Sequence, residues 1–184
     1  EENFGRMAMW EREIAAHPES LMQVKSVADL LAAKQQKKLG LIYGFQDASV
    51  IGSDLSRVQL FSSFGVRIIQ LTYNVRNLVG DGCLEGANGG LSQLGRKLVE
   101  ELNAQKVLID LSHCGQQTTA DGIRESKQPV AITHSGCWSV AQRSRNKRDE
   151  ELKPMADKGG VIGIYLMPFL TMGSPPADTD VVKH

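Results

Sequence analysis

The chain has 184 residues, of which 41% are hydrophobic and 23% charged, and its 21 basic side chains balance 21 acidic ones. This composition is typical of a globular domain with its own core, the charge balance argues against a nucleic-acid surface, and no apolar run reaches the ~18 residues of a membrane span. Three cysteines without a CxxC pair argue against a disulfide framework or a structural zinc knot.

The predicted elements alternate between helices and strands along most of the chain. Residues 1–38 are predicted to form an N-terminal helical segment, because apolar residues recur at helical spacing in 7–17 and 24–38. From residue 39 onward, short apolar runs typical of buried strands alternate with helical patterns. Strands are predicted at 39–45, 66–73, 107–111, 129–133 and 159–166, and helices at 53–65, 92–105, 116–126 and 149–157.

The predicted strands are continuous apolar runs, which is the pattern of strands covered on both faces. The alternation therefore predicts an α/β fold with a parallel sheet and right-handed crossovers. Two architectures fit this pattern, an open doubly wound sheet or part of a (β/α)8 barrel. No GxGxxG motif follows the first strand and no GxxxxGK[ST] motif occurs, so dinucleotide-binding and P-loop interpretations lose their main support.

Polar side chains collect where the predicted strands end, which is the functional edge of a parallel sheet. His113 follows the strand at 107–111, and His134 follows the strand at 129–133. Neighbouring parallel strands lie ~4.8 Å apart, so both imidazoles can reach one metal ion, and imidazole is a common zinc ligand. The competing interpretation is that each histidine is a hydrogen-bonded core or loop residue. Other polar residues in equivalent positions are Gln46, Asp47, Tyr73, Asn74, Arg76, Ser112, Ser135 and Tyr165.

Arg145 follows the second histidine in a basic stretch and has two interpretations. Its guanidinium can hold a substrate carboxylate over the site, or it can be a solvated cation before the acidic start of the helix at 149–157. The Gly-rich loop at 73–90 is long, which favours a lid or binding loop. A solvated surface excursion is the competing account of this loop.

Three stretches together resemble the membrane (renal) dipeptidase family of zinc peptidases. They are GLSQLGRKLVEELNAQKVLIDLSHCGQQT, KQPVAITHSGCWSVAQRSRNKRDEEL and GGVIGI, and the pair DLSH and THS followed by RN is the most specific part. The resemblance implies a (β/α)8 TIM barrel of the amidohydrolase kind. It implies that residues 39–184 are a partial metallo-dipeptidase domain, a central portion of about five βα units. It also implies dipeptide hydrolysis by water activated at a zinc site.

The resemblance implies a role for five residues of this sequence. His113 and His134 match two ligands of one zinc ion, and Arg145 matches the residue that grips the substrate carboxylate. Tyr73 stands where the family has a histidine that contacts the substrate carbonyl. Gln46 stands where the family has a bridging glutamate; a neutral amide bridges two cations poorly, so one or two zinc ions are expected. Asp47 is adjacent, but side chains alternate along a strand, so it is expected to point elsewhere.

Two motifs of the family do not occur in the sequence. The His-x-Asp zinc motif of its first strand and the catalytic Asp of its last strand are both missing, so no catalytic residue is expected within this chain. We therefore expect a fragment of a full barrel, or a truncated protein that completes its sheet as a homodimer, with little or no dipeptidase activity alone. Two further functions stay open: a non-catalytic carboxylate- or peptide-binding homologue, and another barrel hydrolase of the amidohydrolase kind.

Overall fold

A computed structural model of the chain describes residues 2–165, 167 and 184. This part of the chain contains six α-helices and one short 3-10 helix, Ala48–Val50. The α-helices are α1 (Glu2–Ala16), α2 (Val27–Gln35), α3 (Ser56–Ser63), α4 (Gln93–Ala104), α5 (Gln116–Glu125) and α6 (Asp149–Asp157). The strands are β1 (Leu21–Gln23), β2 (Leu39–Leu41), β3 (Tyr43–Phe45), β4 (Val66–Gln70), β5 (Leu108–Asp110), β6 (Ala131–Ser135) and β7 (Val161–Ile164). The predicted end of the last strand at residue 166 lies outside the described residues.

The main sheet contains five parallel strands in the order β3-β4-β5-β6-β7. Each strand pairs with the next one in the chain; for example, Ile68 of β4 lies opposite Leu108 of β5, and Asp110 of β5 lies opposite Ala131 of β6. A doubly wound sheet reverses its strand order at a switch point, whereas a sequential parallel order is that of a barrel wall. The α/β prediction is confirmed, and the sheet is a wall of about five βα units.

The helices cover one face of this sheet. Ile69 of β4 and Ile109 of β5 belong to the same buried cluster as Leu98 and Leu102 of α4. Because side chains alternate along a strand, the next residues, Gln70 and Asp110, point to the other face. The face of the sheet that would line a barrel therefore carries buried polar groups directly below the ends of the strands.

The helix α4 begins where the sequence predicts. Ser92 is its N-cap, and the Ser92 hydroxyl accepts a hydrogen bond from the Gly95 N–H at 3.0 Å, which is the usual role of serine at this position. Gly65 follows α3 with a positive φ of 95°, a conformation that glycine adopts without steric cost. Within the described part of the chain, none of the helices has the length and apolar character needed to cross a bilayer.

The N-terminal segment differs from the prediction. Leu21–Gln23 forms the strand β1, which pairs in parallel with Leu39–Leu41 in a separate two-stranded sheet. The run at 39–45, predicted as one strand, is interrupted at Ile42, and only Tyr43–Phe45 joins the main sheet. The helical prediction for residues 1–38 is thus wrong for Leu21–Gln23, because an apolar run this short takes its conformation from a pairing partner elsewhere in the chain. The boundary between residues 38 and 39 stays a prediction.

Candidate metal centre

The candidate site lies where the strands of the main sheet end. A cavity of about 490 Å³ opens there. His134 belongs to β6, and the other side chains around the cavity come from the segments that follow the strands. The full lining is Gln46, Tyr73, Asn74, Cys83, Leu84, His113, His134, Arg143, Ser144, Arg145, Tyr165 and Met167. The five residues that the sequence singled out, Gln46, Tyr73, His113, His134 and Arg145, therefore line one cavity.

The two histidines meet through their outer ring nitrogens. His113 follows β5 and His134 belongs to β6, and their Nε2 atoms lie 3.0 Å apart. The Nδ1 atom of His113 lies 2.7 Å from Asn74 Oδ1, and the Nδ1 atom of His134 lies 2.8 Å from Thr133 Oγ1. An amide oxygen only accepts hydrogen bonds, so His113 donates from Nδ1 and its Nε2 carries a lone pair.

The same assignment holds for His134. Thr133 Oγ1 lies 2.6 Å from a carboxylate oxygen of Asp110 and donates its proton there, so the threonine oxygen accepts from His134 Nδ1. Two Nε2 lone pairs then face each other across 3.0 Å, an arrangement that is repulsive unless a cation lies between them. Metal-binding histidines usually have this arrangement, in which each Nδ1–H donates a hydrogen bond and the Nε2 lone pairs point at one position.

The spacing of the two nitrogens suits a zinc-like ion. Zinc–nitrogen distances of about 2.0–2.1 Å place two tetrahedral ligands roughly 3.3 Å apart, close to the 3.0 Å separation of the Nε2 atoms. The Gln46 amide lies 3.3 Å from His134 Nε2, and rotation of the amide by half a turn presents its oxygen instead. Among residues 2–165, 167 and 184, no group of three or more His, Cys, Asp or Glu side chains has the arrangement of a metal site. The candidate donors that converge here among the described residues are two imidazoles and one amide.

Arg145 is buried beside the histidines. It is 6% exposed, it donates from Nη1 to Ser112 O, and it donates from Nη2 to His134 O at 2.9 Å. Its Nε atom is buried without a hydrogen-bond partner in the described part of the chain. Burial lowers the pKa of Arg145, although a guanidinium stays charged in proteins. The interpretation of Arg145 as a solvated cation is therefore wrong, and its position fits the recognition of an anion.

Two aromatic rings flank the imidazoles. Tyr73 stacks on His113 with ring centroids 4.1 Å apart, and Tyr165 meets His134 edge-on at 5.4 Å. Asp47, expected to point away from the site, accepts hydrogen bonds from the Ser49 and Tyr73 backbone N–H groups at 2.6 and 2.8 Å. The Asp47 carboxylate thus holds the loop after β3 against the loop after β4, and Asp47 is not among the residues that line the cavity.

The long loop after β4 folds back onto the sheet. Asp81 is 3% exposed; it accepts hydrogen bonds from Arg76 Nη2 at 3.1 Å and from the Gly89 N–H at 2.6 Å, and the neighbouring Arg76 guanidinium lowers its pKa. The carbonyl of Asp81 also accepts the Gly115 N–H at 3.0 Å. The interpretation of residues 73–90 as a purely solvated excursion is wrong, since the Arg76–Asp81 ion pair is formed within the loop and the Asp81 carbonyl joins the loop to the segment that carries His113.

Sequence reasoning missed Asp110 and Thr133, which support the histidines from below. Asp110 is 3% exposed and accepts hydrogen bonds from Ser112 and Thr133. One signal was available, because an acidic residue in the otherwise apolar run VLIDL is costly to bury without partners. Its partners are Ser112, just after β5, and Thr133 on the neighbouring strand β6, and the sequence does not indicate that they bond to Asp110.

The buried histidines resist protonation. Burial, with the nearby Arg145 and His134 as smaller causes, lowers the pKa of His113 to about 3, and burial also lowers the pKa of His134. A neutral imidazole at ordinary pH binds a metal without first losing a proton.

This pKa shift makes the stability of the metal-free protein depend on pH. The pKa of His113 is 6.5 in the unfolded chain and about 3 in the folded chain. The unfolded chain therefore binds the proton more tightly, and the free energy of unfolding falls as pH drops from 6.5 towards 3. Between pH 7 and pH 5 the loss from His113 is about 2 kcal/mol. We expect urea unfolding with a chelator present to show this loss, and to show less of it in His113→Gln. The same pH dependence in both proteins would contradict the expectation.

The chain is similar to known proteins in both sequence and structure. A sequence model described as membrane dipeptidase (peptidase family M19) matches residues 2–184. The chain is 26% identical over 187 residues to Dipeptidase tcpJ of Claviceps purpurea, with 100% of this chain and 44% of that protein covered. It is 28% identical to an uncharacterized protein in the pqqA 5' region of Klebsiella pneumoniae, with 94% of this chain and 68% of that protein covered.

Solved structures match over nearly the whole chain. An amidohydrolase from Pseudomonas aeruginosa superposes with a TM-score of 0.91 at 39% identity, covering 98% of this chain and 55% of that one. A metallo peptidase from Rhodobacter sphaeroides, liganded with a phosphinate mimic of the dipeptide L-Ala-D-Ala, has a TM-score of 0.88 at 26% identity and covers 98% and 54%. The chain thus spans about half the length of these solved proteins.

Proposed function

The chain belongs to the membrane dipeptidase family, and from that premise we propose that it contributes to zinc-dependent hydrolysis of dipeptides by holding one metal ion between His113 and His134. Its similarity to a metallo peptidase supports a metal cofactor. The main support for the proposal is that the Nε2 atoms of His113 and His134 lie 3.0 Å apart while both Nδ1 atoms have hydrogen-bond partners.

The proposed zinc site uses residues that fit it chemically. His113 and His134 would hold the ion, and Gln46 would add a neutral oxygen after rotation of its amide. When bound, zinc supplies a Lewis acid that activates water for attack on a peptide carbonyl. Because Gln46 brings no negative charge, single occupancy is the proposed state of this part of the site.

Arg145 and Tyr73 are the proposed substrate-binding residues. The unpartnered Nε of Arg145 is a buried donor beside the histidines, so a dipeptide carboxylate would gain a charge-assisted hydrogen bond there. Tyr73 is 41% exposed at the mouth of the cavity and stacks on His113. Its phenol can donate one hydrogen bond to the oxyanion that develops from the scissile carbonyl.

The proposal is tested by the binding of a phosphinate mimic of L-Ala-D-Ala to the full chain, measured by calorimetry with and without zinc. We expect binding that requires zinc and a free carboxylate, and a loss of about 10- to 100-fold in Arg145→Lys, because lysine does not reproduce the planar donor set. Arg124→Lys is the matched control, since Arg124 is 56% exposed and pairs with Asp121 on α5.

Two results would overturn the proposal. Equal binding with and without zinc would favour the carboxylate-binding homologue, and equal binding of a mimic with an amidated C-terminus would contradict the role of Arg145. Hydrolysis of L-Ala-D-Ala is measured alongside; robust turnover by this chain would contradict the expectation of little or no activity alone. The homodimer also stays a prediction, and sedimentation of the same sample tests it.

A further inference from the structure

Asp110 is the centre of a hydrogen-bond network directly below His134. Its Oδ1 atom lies 3.0 Å from the Ser112 N–H donor, 3.1 Å from the Thr133 N–H donor and 2.5 Å from Ser112 Oγ. Its Oδ2 atom lies 2.6 Å from Thr133 Oγ1. A carboxylate only accepts hydrogen bonds, so both hydroxyl groups donate their protons to Asp110.

This direction of donation determines what Thr133 can offer to its neighbour. Once its proton is given to Asp110, the Thr133 oxygen has only lone pairs for the His134 Nδ1 atom, 2.8 Å away. The contact between Thr133 Oγ1 and Ser112 Oγ is longer, at 3.2 Å, and both protons are already committed. His134 must therefore carry its proton on Nδ1 and a lone pair on Nε2.

We propose that Asp110 is a positioning residue that acts through Thr133 to keep His134 in the Nδ1–H tautomer, so that Nε2 is presented to the metal. The inference deepens the zinc site proposed above and rests on it for its purpose. The network also fixes the backbone of the ligand, because the His134 N–H donates to Ser112 Oγ at 3.1 Å. Outer partners of this kind commonly set the ring orientation and basicity of metal-binding histidines.

Asp110→Asn is expected to move the His134 proton from one ring nitrogen to the other. The asparagine oxygen must take the place of Oδ1, because two backbone N–H groups point there. The asparagine NH₂ then faces Thr133 Oγ1 and donates to it, so the threonine proton turns to His134 Nδ1. The expected outcome is His134 protonated on Nε2, with the metal-facing lone pair lost.

The tautomer is measured in the metal-free full chain by long-range ¹H–¹⁵N correlation of the histidine rings, with His134→Ala used for assignment. We expect Nδ1–H in the wild type, Nε2–H in Asp110→Asn, and a mixture in Thr133→Val, which has no hydroxyl acceptor. Thr133→Ser retains the hydroxyl and should restore the wild-type signal. Asp121→Asn is the control for loss of a buried carboxylate, since Asp121 is also 3% exposed but lies on α5.

Zinc affinity is the second readout. We expect a drop of about 10- to 100-fold in Asp110→Asn and Thr133→Val, and little change in Thr133→Ser and Asp121→Asn. An unchanged Nδ1–H signal in both Asp110→Asn and Thr133→Val would overturn the inference, as would Nε2–H in the wild type. Because the tautomer is read without metal, a chain that shows the expected tautomers but binds no zinc would refute the proposed zinc site and leave the role of Asp110 in place.

Discussion

His134→Ala is expected to weaken zinc binding by more than about 100-fold, because it removes one of two imidazoles whose Nε2 atoms meet in the cavity. The effect should exceed the 10- to 100-fold losses typical of outer-shell changes, since a ligand itself is removed. His113→Ala should behave in the same way. Calorimetric titration with zinc at neutral pH measures the change.

His17→Ala is the matched control for this prediction. His17 is 55% exposed and lies at the end of α1, near Glu13 and Glu19. Its removal subtracts one imidazole from the chain without touching the cavity, so zinc affinity should be unchanged. Wild-type affinity in both His113→Ala and His134→Ala would show that zinc binds elsewhere.

Lys147→Ala is expected to lower the free energy of unfolding by about 3–5 kcal/mol, the usual cost of leaving a buried ion without its partner. Lys147 is 2% exposed, and its Nζ donates to Cys114 O at 2.7 Å and to Thr119 Oγ1 at 2.8 Å. Glu151 Oε1 lies 3.8 Å away and is buried without a hydrogen-bond partner among the described residues. Urea unfolding monitored by circular dichroism measures the loss.

The helix α6 supplies the control for this second prediction. Lys153 and Asp149 form an ion pair with the same four-residue spacing as Lys147 and Glu151, but their side chains are 77% and 61% exposed. Lys153→Ala should therefore leave stability almost unchanged. Equal effects of Lys147→Ala and Lys153→Ala would show that the buried ammonium does not hold the loop before α6.

Lys147 also helps to position the loop that carries Arg145. Its backbone N–H donates to Gly136 O at 2.9 Å, and its carbonyl accepts the Trp138 N–H at 2.8 Å. These backbone bonds close the loop that carries Arg145, and the Lys147 side chain anchors the same loop to Cys114 and Thr119. Lys147→Ala removes this anchor, so it should weaken binding of the phosphinate mimic at Arg145 even where the protein remains folded.

The parts of the site that lie at strand ends were predictable from the sequence. A parallel sheet gathers the carboxyl ends of its strands at one edge, so the apolar runs before His113 and His134 were enough to bring these residues together. The order of the elements predicted a parallel α/β sheet, and the resemblance to the dipeptidase family, not the order, implied a barrel. The N-cap at Ser92 followed from local chemistry alone.

Other features depend on contacts that a single sequence does not encode locally. The strand at Leu21–Gln23 exists because it pairs with Leu39–Leu41. The burial of Arg145 follows from a loop whose course is set by Lys147 and Ser135, including the hydrogen bond from Ser135 Oγ to Arg145 O at 2.8 Å. The hydrogen bond between Thr133 and Asp110 joins the neighbouring strands β5 and β6. Both residues lie in the stretches DLSH and THS, but these stretches do not indicate that the two side chains meet.

The position of zinc in the cavity is the most direct test of the central claim. Anomalous diffraction at the zinc edge, from crystals of the full chain grown with zinc, locates the ion without any assay of activity. The account predicts a peak about 2.0–2.1 Å from the Nε2 atoms of both His113 and His134. A zinc peak elsewhere on the protein, with these two nitrogens left without a metal, would contradict it.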